Sequence, residues 1–151
     1  MANFNLEEMI NREELKLATT RSRALSYVID DLIISLFVIV IFYDTLSNVS
    51  DPAEAMEIIN SAFLPILAIK VIYHTFFIWK YGQSIGKIAT KIRVVQIDTL
   101  DNPDILFSFN RAIFRVISEV IFYLGFILAF FDKNRQSLHD KTSRTLVIDA
   151  N

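Results

Sequence analysis

A chain of 151 residues that is 53% hydrophobic and only 21% charged is tilted toward apolar for a soluble domain of its size, which points to a membrane. With 0 Cys and three each of Gly and Pro, it lacks the material for disulfide frameworks, thiolate metal sites, Gly-rich linkers or long disordered tracts. The formal net charge of −2 excludes little by itself, so the placement of the charges along the chain carries the information.

Residues 1–20 mix Glu7, Glu8, Glu13 and Glu14 with scattered apolar residues and have no continuous hydrophobic stretch of the signal-peptide kind. Leu6, Met9, Ile10 and Leu17 fall near one helical face, and Asn5 with Glu8 has the spacing of an N-terminal cap. The segment reads as an amphipathic cytoplasmic helix. Residues 21–151 then form the membrane domain.

Leu25 to Tyr43 is nineteen residues, interrupted only by Asp30 and Asp31. At 1.5 Å per residue it covers about 28 Å, close to the roughly 30 Å of a hydrocarbon core. A second span is expected over residues 62–80, with Lys70 near its middle, His74 one turn further, and Trp79, Lys80 and Tyr81 as an interfacial anchor. Between the spans lie Asp44, Asp51, Glu54 and Glu57 without a Lys or Arg, whereas Arg12, Lys16, Arg21 and Arg23 precede the first and Lys80, Lys87, Lys91 and Arg93 follow the second. The positive-inside bias therefore puts both basic flanks in the cytoplasm. Asp51, Pro52 and Glu54 match a cap, a first-turn proline and a first-turn acid, so a short helix should lead into the second span.

The β-branched content of residues 91–98 (KIRVVQID) and 144–149 (RTLVID) predicts two short strands, which would satisfy each other if paired on the cytoplasmic side. The third apolar segment, 105–131, carries Arg111, Arg115 and Glu119 at four-residue spacing before the uncharged run VIFYLGFILAFF. A simple crossing would export a tail holding Lys133, Arg135, Lys141 and Arg144. Two readings stay open, a re-entrant hairpin bent near Gly125 or a full third crossing.

Asp30 and His74 lie about 10 Å from the same membrane face by helical rise, with Lys70 one turn deeper and Glu119 able to reach a similar level. Charges at such depth are costly, so Asp30, Asp31, Lys70, His74, Arg115 and Glu119 should face one another, with Arg23 at the headgroup level coupled to Asp30. They read either as a proton or cation relay or as polar contacts that fasten the helices. GQSIGK at residues 82–87 has three residues between its glycines and Ile88 after its Lys, so it fails as a phosphate loop and reads as the turn ending the second span. No nucleophile has a base at suitable spacing, two histidines are too few for most metal sites, and no basic stripe is interleaved with exposed aromatics. No enzyme activity, cofactor, metal or nucleic-acid partner is expected.

Three strings, RALSYVID (23–30), GQSIGKIATKIRVV (82–95) and DKNRQSLHDKTSRTLVI (132–148), resemble in order the signature of the RDD family of small integral membrane proteins. The Arg and two Asp of the family name carry over as Arg23, Asp30 and Asp140. This chain departs in having Asp31 beside Asp30, and Ser143-Arg144-Thr145 where Ala-Gly-Thr is more usual. The resemblance implies transport of unidentified ligands, with cation/proton antiport in some members.

The expected architecture is an all-α protein of the bacterial cytoplasmic (inner) membrane, amino end in the cytoplasm. It has two transmembrane helices, a third membrane-embedded segment, re-entrant or spanning, and a small cytoplasmic strand pair. The expected function is transport of a cation, proton or small solute through a polar layer of Arg23, Asp30, Asp31, Lys70, His74, Arg115, Glu119 and Asp140. The alternative is a non-catalytic assembly or adaptor module whose buried charges are structural. Expected partners are the lipid bilayer, a second copy or another membrane protein, and a monovalent cation or proton. Two or three spans are too few to build an alternating path alone.

Overall fold

In a computed structural model describing residues 6–150, the chain is mostly helical, with two helices long and apolar enough to cross a membrane and one small antiparallel sheet. The helix α1 (Leu6–Arg12) is followed by an extended segment and then by α2 (Thr20–Ser47). Thr19 caps α2 by accepting the Ser22 N–H at 3.1 Å, one of the donors the first turn leaves unpaired. The expected cap at Asn5 lies outside the described residues.

Helix α3 (Pro52–Tyr81) is longer than the span read from hydropathy. Asp51 accepts the Ala53 N–H at 3.0 Å and Pro52 fills the first helical position, so the short acidic helix runs into the span without a break. Gly82, at φ 67°, ends α3 and donates to the Ile78 carbonyl at 2.9 Å, a left-handed turn that glycine adopts without penalty. Apolar side chains along both long helices, among them Leu36, Val40, Leu64 and Ile72, are exposed in the isolated chain, as lipid-facing positions require.

At one end of the bundle, α4 (Ile85–Ala89) leads into β1 (Ile92–Gln96), which pairs antiparallel with β2 (Thr145–Asp149) in the register Ile92 to Asp149 and Gln96 to Thr145. The first strand is shorter at both ends than the predicted 91–98, and the second starts one residue later than the predicted 144–149. Lys91 and Arg144 sit at positive φ and terminate the ladder. Residues 16–18 run along the other edge of β2: Ala18 N–H donates to the Val147 carbonyl at 3.0 Å, and Asp149 N–H to the Lys16 carbonyl at 2.8 Å. The apolar face expected near the amino end is used here, since Leu6, Met9, Ile10 and Leu17 pack against Val95, Ile97 and Leu146. A helix of seven residues is marginal alone, and this packing is what holds it.

The third apolar segment is two helices, α5 (Ile105–Val120) and α6 (Leu124–Phe131), which meet at 104°. The bend falls at residues 121–123, ahead of the expected Gly125, because Phe122 and Tyr123 take the left-handed conformation at φ 56° and 61°. Gly125 has a different use. A Cβ there would lie 2.0 Å from Ser118 Oγ, so its absence lets α6 fold back onto α5. The last helix, α7 (Leu138–Thr142), starts with a capping box between Ser137 and Asp140.

Candidate functional site: a buried charge layer beside a cationic cavity

Helix α5 presents Ser108, Arg111, Arg115 and Ser118 inward at spacings of three and four residues, which places its polar stripe within the protein. Three separate polar junctions lie within the fold, two of them built on this stripe.

The first is Asp30, whose side chain is fully buried. Its carboxylate accepts from Tyr73 Oη at 2.9 Å, Ser84 Oγ at 2.6 Å and the Gly86 N–H at 2.8 Å. The acid on α2 thus caps α4 from another element, and the Tyr73 hydroxyl also accepts the Ile85 N–H at 3.2 Å. A Cβ on Gly86 would stand 2.1 Å from the Ser26 carbonyl oxygen, so only glycine permits this approach. The contacts of the GQSIGK string explain its residue types. Gly82 turns the chain, Gln83 donates to the Ile92 carbonyl at 3.0 Å, and Ser84 and Gly86 hold Asp30.

The second is Asp140, also fully buried, where Arg23 of α2 and Arg111 of α5 both donate to one carboxylate. Ser137 adds its N–H at 2.9 Å and its hydroxyl at 2.6 Å, and Arg111 also donates to Thr145 Oγ1 at 2.7 Å. Burial alone would raise the Asp140 carboxyl, but Arg111 and Arg23 hold it well below the usual carboxylate range. The neighbouring His139 is buried and pushed well below its ordinary value, with Arg111 and Arg115 adding to the effect against Asp140, so its ring stays neutral. Arg23 also donates to the Arg135 carbonyl, tying the tail to the start of α2.

The third is Lys70 of α3, whose Nζ donates to Asp31 and to Glu119, both at 2.7 Å. Arg115 Nε stands 3.6 Å from the other Glu119 oxygen, and its guanidinium lies 4.2 Å over the Tyr27 ring. Of the residues expected to meet, Asp31, Lys70, Arg115 and Glu119 do so in one chain of contacts. Arg23 pairs with Asp140 and not with Asp30. His74 is buried, edge-on to Tyr73 at a 4.9 Å ring separation, and among the described residues it touches none of the four carboxylates. No group of three His, Cys, Asp or Glu side chains that could hold a metal is found among the described residues.

Beside these junctions lies a cavity of about 470 Å³, between α2, α5, α6 and the segment 137–139. Its lining combines the cations Arg23, Lys87, Arg111 and Arg115 and the carboxylate of Asp31 with the apolar or aromatic Tyr27, Val28, Leu32, Phe126, Ala129 and Phe130. The polar layer expected from sequence lacks two of these cations, Arg111 and Lys87. Lys87 is 5% exposed, and its Nζ makes no hydrogen bond or ion pair among the described residues. Burial pushes its ammonium down to about 7, with Arg115 adding repulsion and the Asp30 charge opposing. No local pattern marks Lys87, since its burial follows from the close approach of α4 to α2 at Gly86.

Arg23 and Asp30 on a membrane-type helix, joined to a glycine turn and an Asp in a folded tail, define a small helical membrane domain closed at one end by its own polar contacts. The chain belongs to the RDD family, whose model matches residues 17–144. Over 85 residues it is 29% identical to an uncharacterized protein of Rickettsia prowazekii (strain Madrid E), a stretch covering 56% of this chain and 46% of that one. The chain thus aligns with about half the length of this curated relative. No solved structure matches it.

Proposed function

We propose that the protein is a small-solute transport module of a bacterial cytoplasmic membrane, with the cavity between α2 and α6 as the solute site. The bent α5–α6 pair is embedded from the cytoplasmic side, where the sheet and the amino end also lie. The observation that carries this reading is the cavity itself: about 470 Å³ is the size of a small-molecule site, and its wall combines apolar side chains with a few convergent charged groups. The carboxylates that suggest a relay in the sequence are occupied otherwise. Asp30 is filled by three donors, Asp140 by two arginines, and Asp31 and Glu119 by Lys70. On this reading they are scaffold that fixes the walls of the cavity, and the solute replaces the cation as cargo. Two long helices and one bent pair are too few to enclose a path, so the transporting unit contains more than one copy.

The absence of native cysteine permits a direct test. Ala129, buried in the cavity wall, is replaced by Cys in protein reconstituted into sealed vesicles, and small impermeant thiol reagents are applied from each side. A transporter whose site is exposed alternately is labelled from both sides. Labelling from one side alone, under every gradient applied, would leave a binding or assembly module.

A further inference from the structure

Setting the histidines aside, the charge layer holds five cations, Arg23, Lys70, Lys87, Arg111 and Arg115, against four carboxylates, Asp30, Glu119, Asp140 and the partly exposed Asp31. By count the excess sits at Asp140, which two arginines share, but in direct contacts one cation is left without an acceptor. Asp140 is taken by Arg23 and Arg111, Asp31 by Lys70, and Glu119 by Lys70 with Arg115 at 3.6 Å, while Asp30 is filled by neutral donors. Lys87 remains, 5% exposed and without a hydrogen bond or ion pair among the described residues. Arg115, which also lines the cavity, faces Glu119 only through its Nε at 3.6 Å, beyond hydrogen-bonding distance. Buried cations normally have a partner, and an ammonium with three donors and no acceptor marks a place for an anion.

The apolar part of the lining specifies the rest of the ligand. Val28, Leu32 and Phe130 line the cavity and are also exposed on the apolar outer surface, so its mouth opens sideways between α2 and α6, on the lipid side. Tyr27, Phe126 and Ala129 add apolar surface to the same cavity that Lys87 and Arg115 line. Accepting the cavity as the solute site, we infer that its occupant is an anionic amphiphile. The carboxylate or phosphate head is held by Lys87 and Arg115, and the hydrocarbon chain lies between α2 and α6. A free acyl carboxylate and an anionic phospholipid share this chemistry.

The test compares dodecanoate, dodecyl phosphate and dodecyltrimethylammonium, matched in chain length, for binding to the full chain in a nonionic detergent. Binding is measured directly and by the shift in unfolding temperature. The anions should bind and stabilise, and the cation should not. Lys87→Met keeps the stem, removes a buried charge and so should fold at least as well as wild type; it should weaken anion binding at least about tenfold, the worth of one charge-assisted hydrogen bond. Ala129→Trp, which takes up space in the cavity and leaves the cations in place, should weaken it too. Equal binding of all three amphiphiles, or unchanged anion affinity in Lys87→Met, would overturn the inference. In nanodiscs, phosphatidylglycerol displacing dodecanoate where phosphatidylcholine does not would support a lipid occupant; no displacement by either would support a free amphiphile. Anion binding together with one-sided labelling of Cys at position 129 would sustain the inference and refute transport.

Discussion

Replacing Gly86 by Ala tests whether the glycine turn and Asp30 form one interlocked joint. The added Cβ would lie 2.1 Å from the Ser26 carbonyl oxygen and 2.9 Å from Asp30 Oδ1. An unstrained carbon–oxygen contact is about 3.3–3.6 Å, so α4 and α2 must part by roughly 1 Å or more. The Gly86 N–H to Asp30 bond, now 2.8 Å, would stretch beyond hydrogen-bonding range. Overpacking costs about 1–3 kcal/mol, and losing one hydrogen bond to a buried carboxylate about 1.5–3, for a combined loss of about 3–5 kcal/mol. For a chain of this length the unfolding temperature should fall by roughly 6–20 °C. Gly82→Ala is the control: its Cβ would meet the movable Asn102 side chain at 2.3 Å, and the left-handed backbone adds about 1–2 kcal/mol. Thermal unfolding in detergent, followed by circular dichroism, reads both. A Gly86→Ala protein within about 0.5 kcal/mol of wild type would refute the joint.

Asp140→Ala should cost about 3–5 kcal/mol because it leaves Arg23 and Arg111 buried and uncompensated, whereas Arg23→Ala alone should cost less; denaturant titration measures both. The Asp140 carboxyl is lowered on folding, so its stabilisation is complete above the unfolded value of about 4 and is lost only as pH falls below that, an acid limb that Asp140→Asn should remove. Lys87 gives a second limb of the same sign, on the alkaline side. It is faced by Asp30 and Arg23 on α2, His74 on α3, Arg111 and Arg115 on α5, and His139 in the first turn of α7, and its ammonium is lowered to about 7 from 10.5. The unfolded chain therefore binds more protons in that window, stability should rise with pH across it, and Lys87→Met should flatten the rise. Single Cys residues at Ser47, Thr99 and Lys133, all exposed, should be labelled in sealed cells at Ser47 only; labelling of Thr99 or Lys133 from outside would break the proposed cytoplasmic location of the sheet.

Whatever follows from local pattern is legible in the sequence. Long apolar runs mark the spans because backbone groups in lipid must be paired within the segment, and the β-branched strings mark the strands. The contacts of the third junction are also accessible, since Lys70, Asp31, Arg115 and Glu119 are costly charges with few alternatives to one another. The sequence points to a bend at Gly125 because VIFYLGFILAFF contains no other breaker, yet the chain turns at Phe122 and Tyr123. Proximity on one helix points Arg23 toward Asp30. The fold sends it to the tail, where Asp140 is over a hundred residues away in sequence and local pattern carries no trace of it. The same holds for Asp30 as the cap of α4 and for Lys87, whose burial depends on how closely Gly86 lets α4 approach α2.

The most direct measurement of the central claim, that the scaffold of buried charges shapes a site for an anionic amphiphile at Lys87, is native mass spectrometry of the protein extracted from its membrane. Wild type should carry a bound small molecule whose fragments show an acyl chain and a carboxylate or phosphate, and Lys87→Met should lose it while remaining folded. The same adduct on both proteins in equal amount, or a bound molecule without an anionic group, would contradict the account.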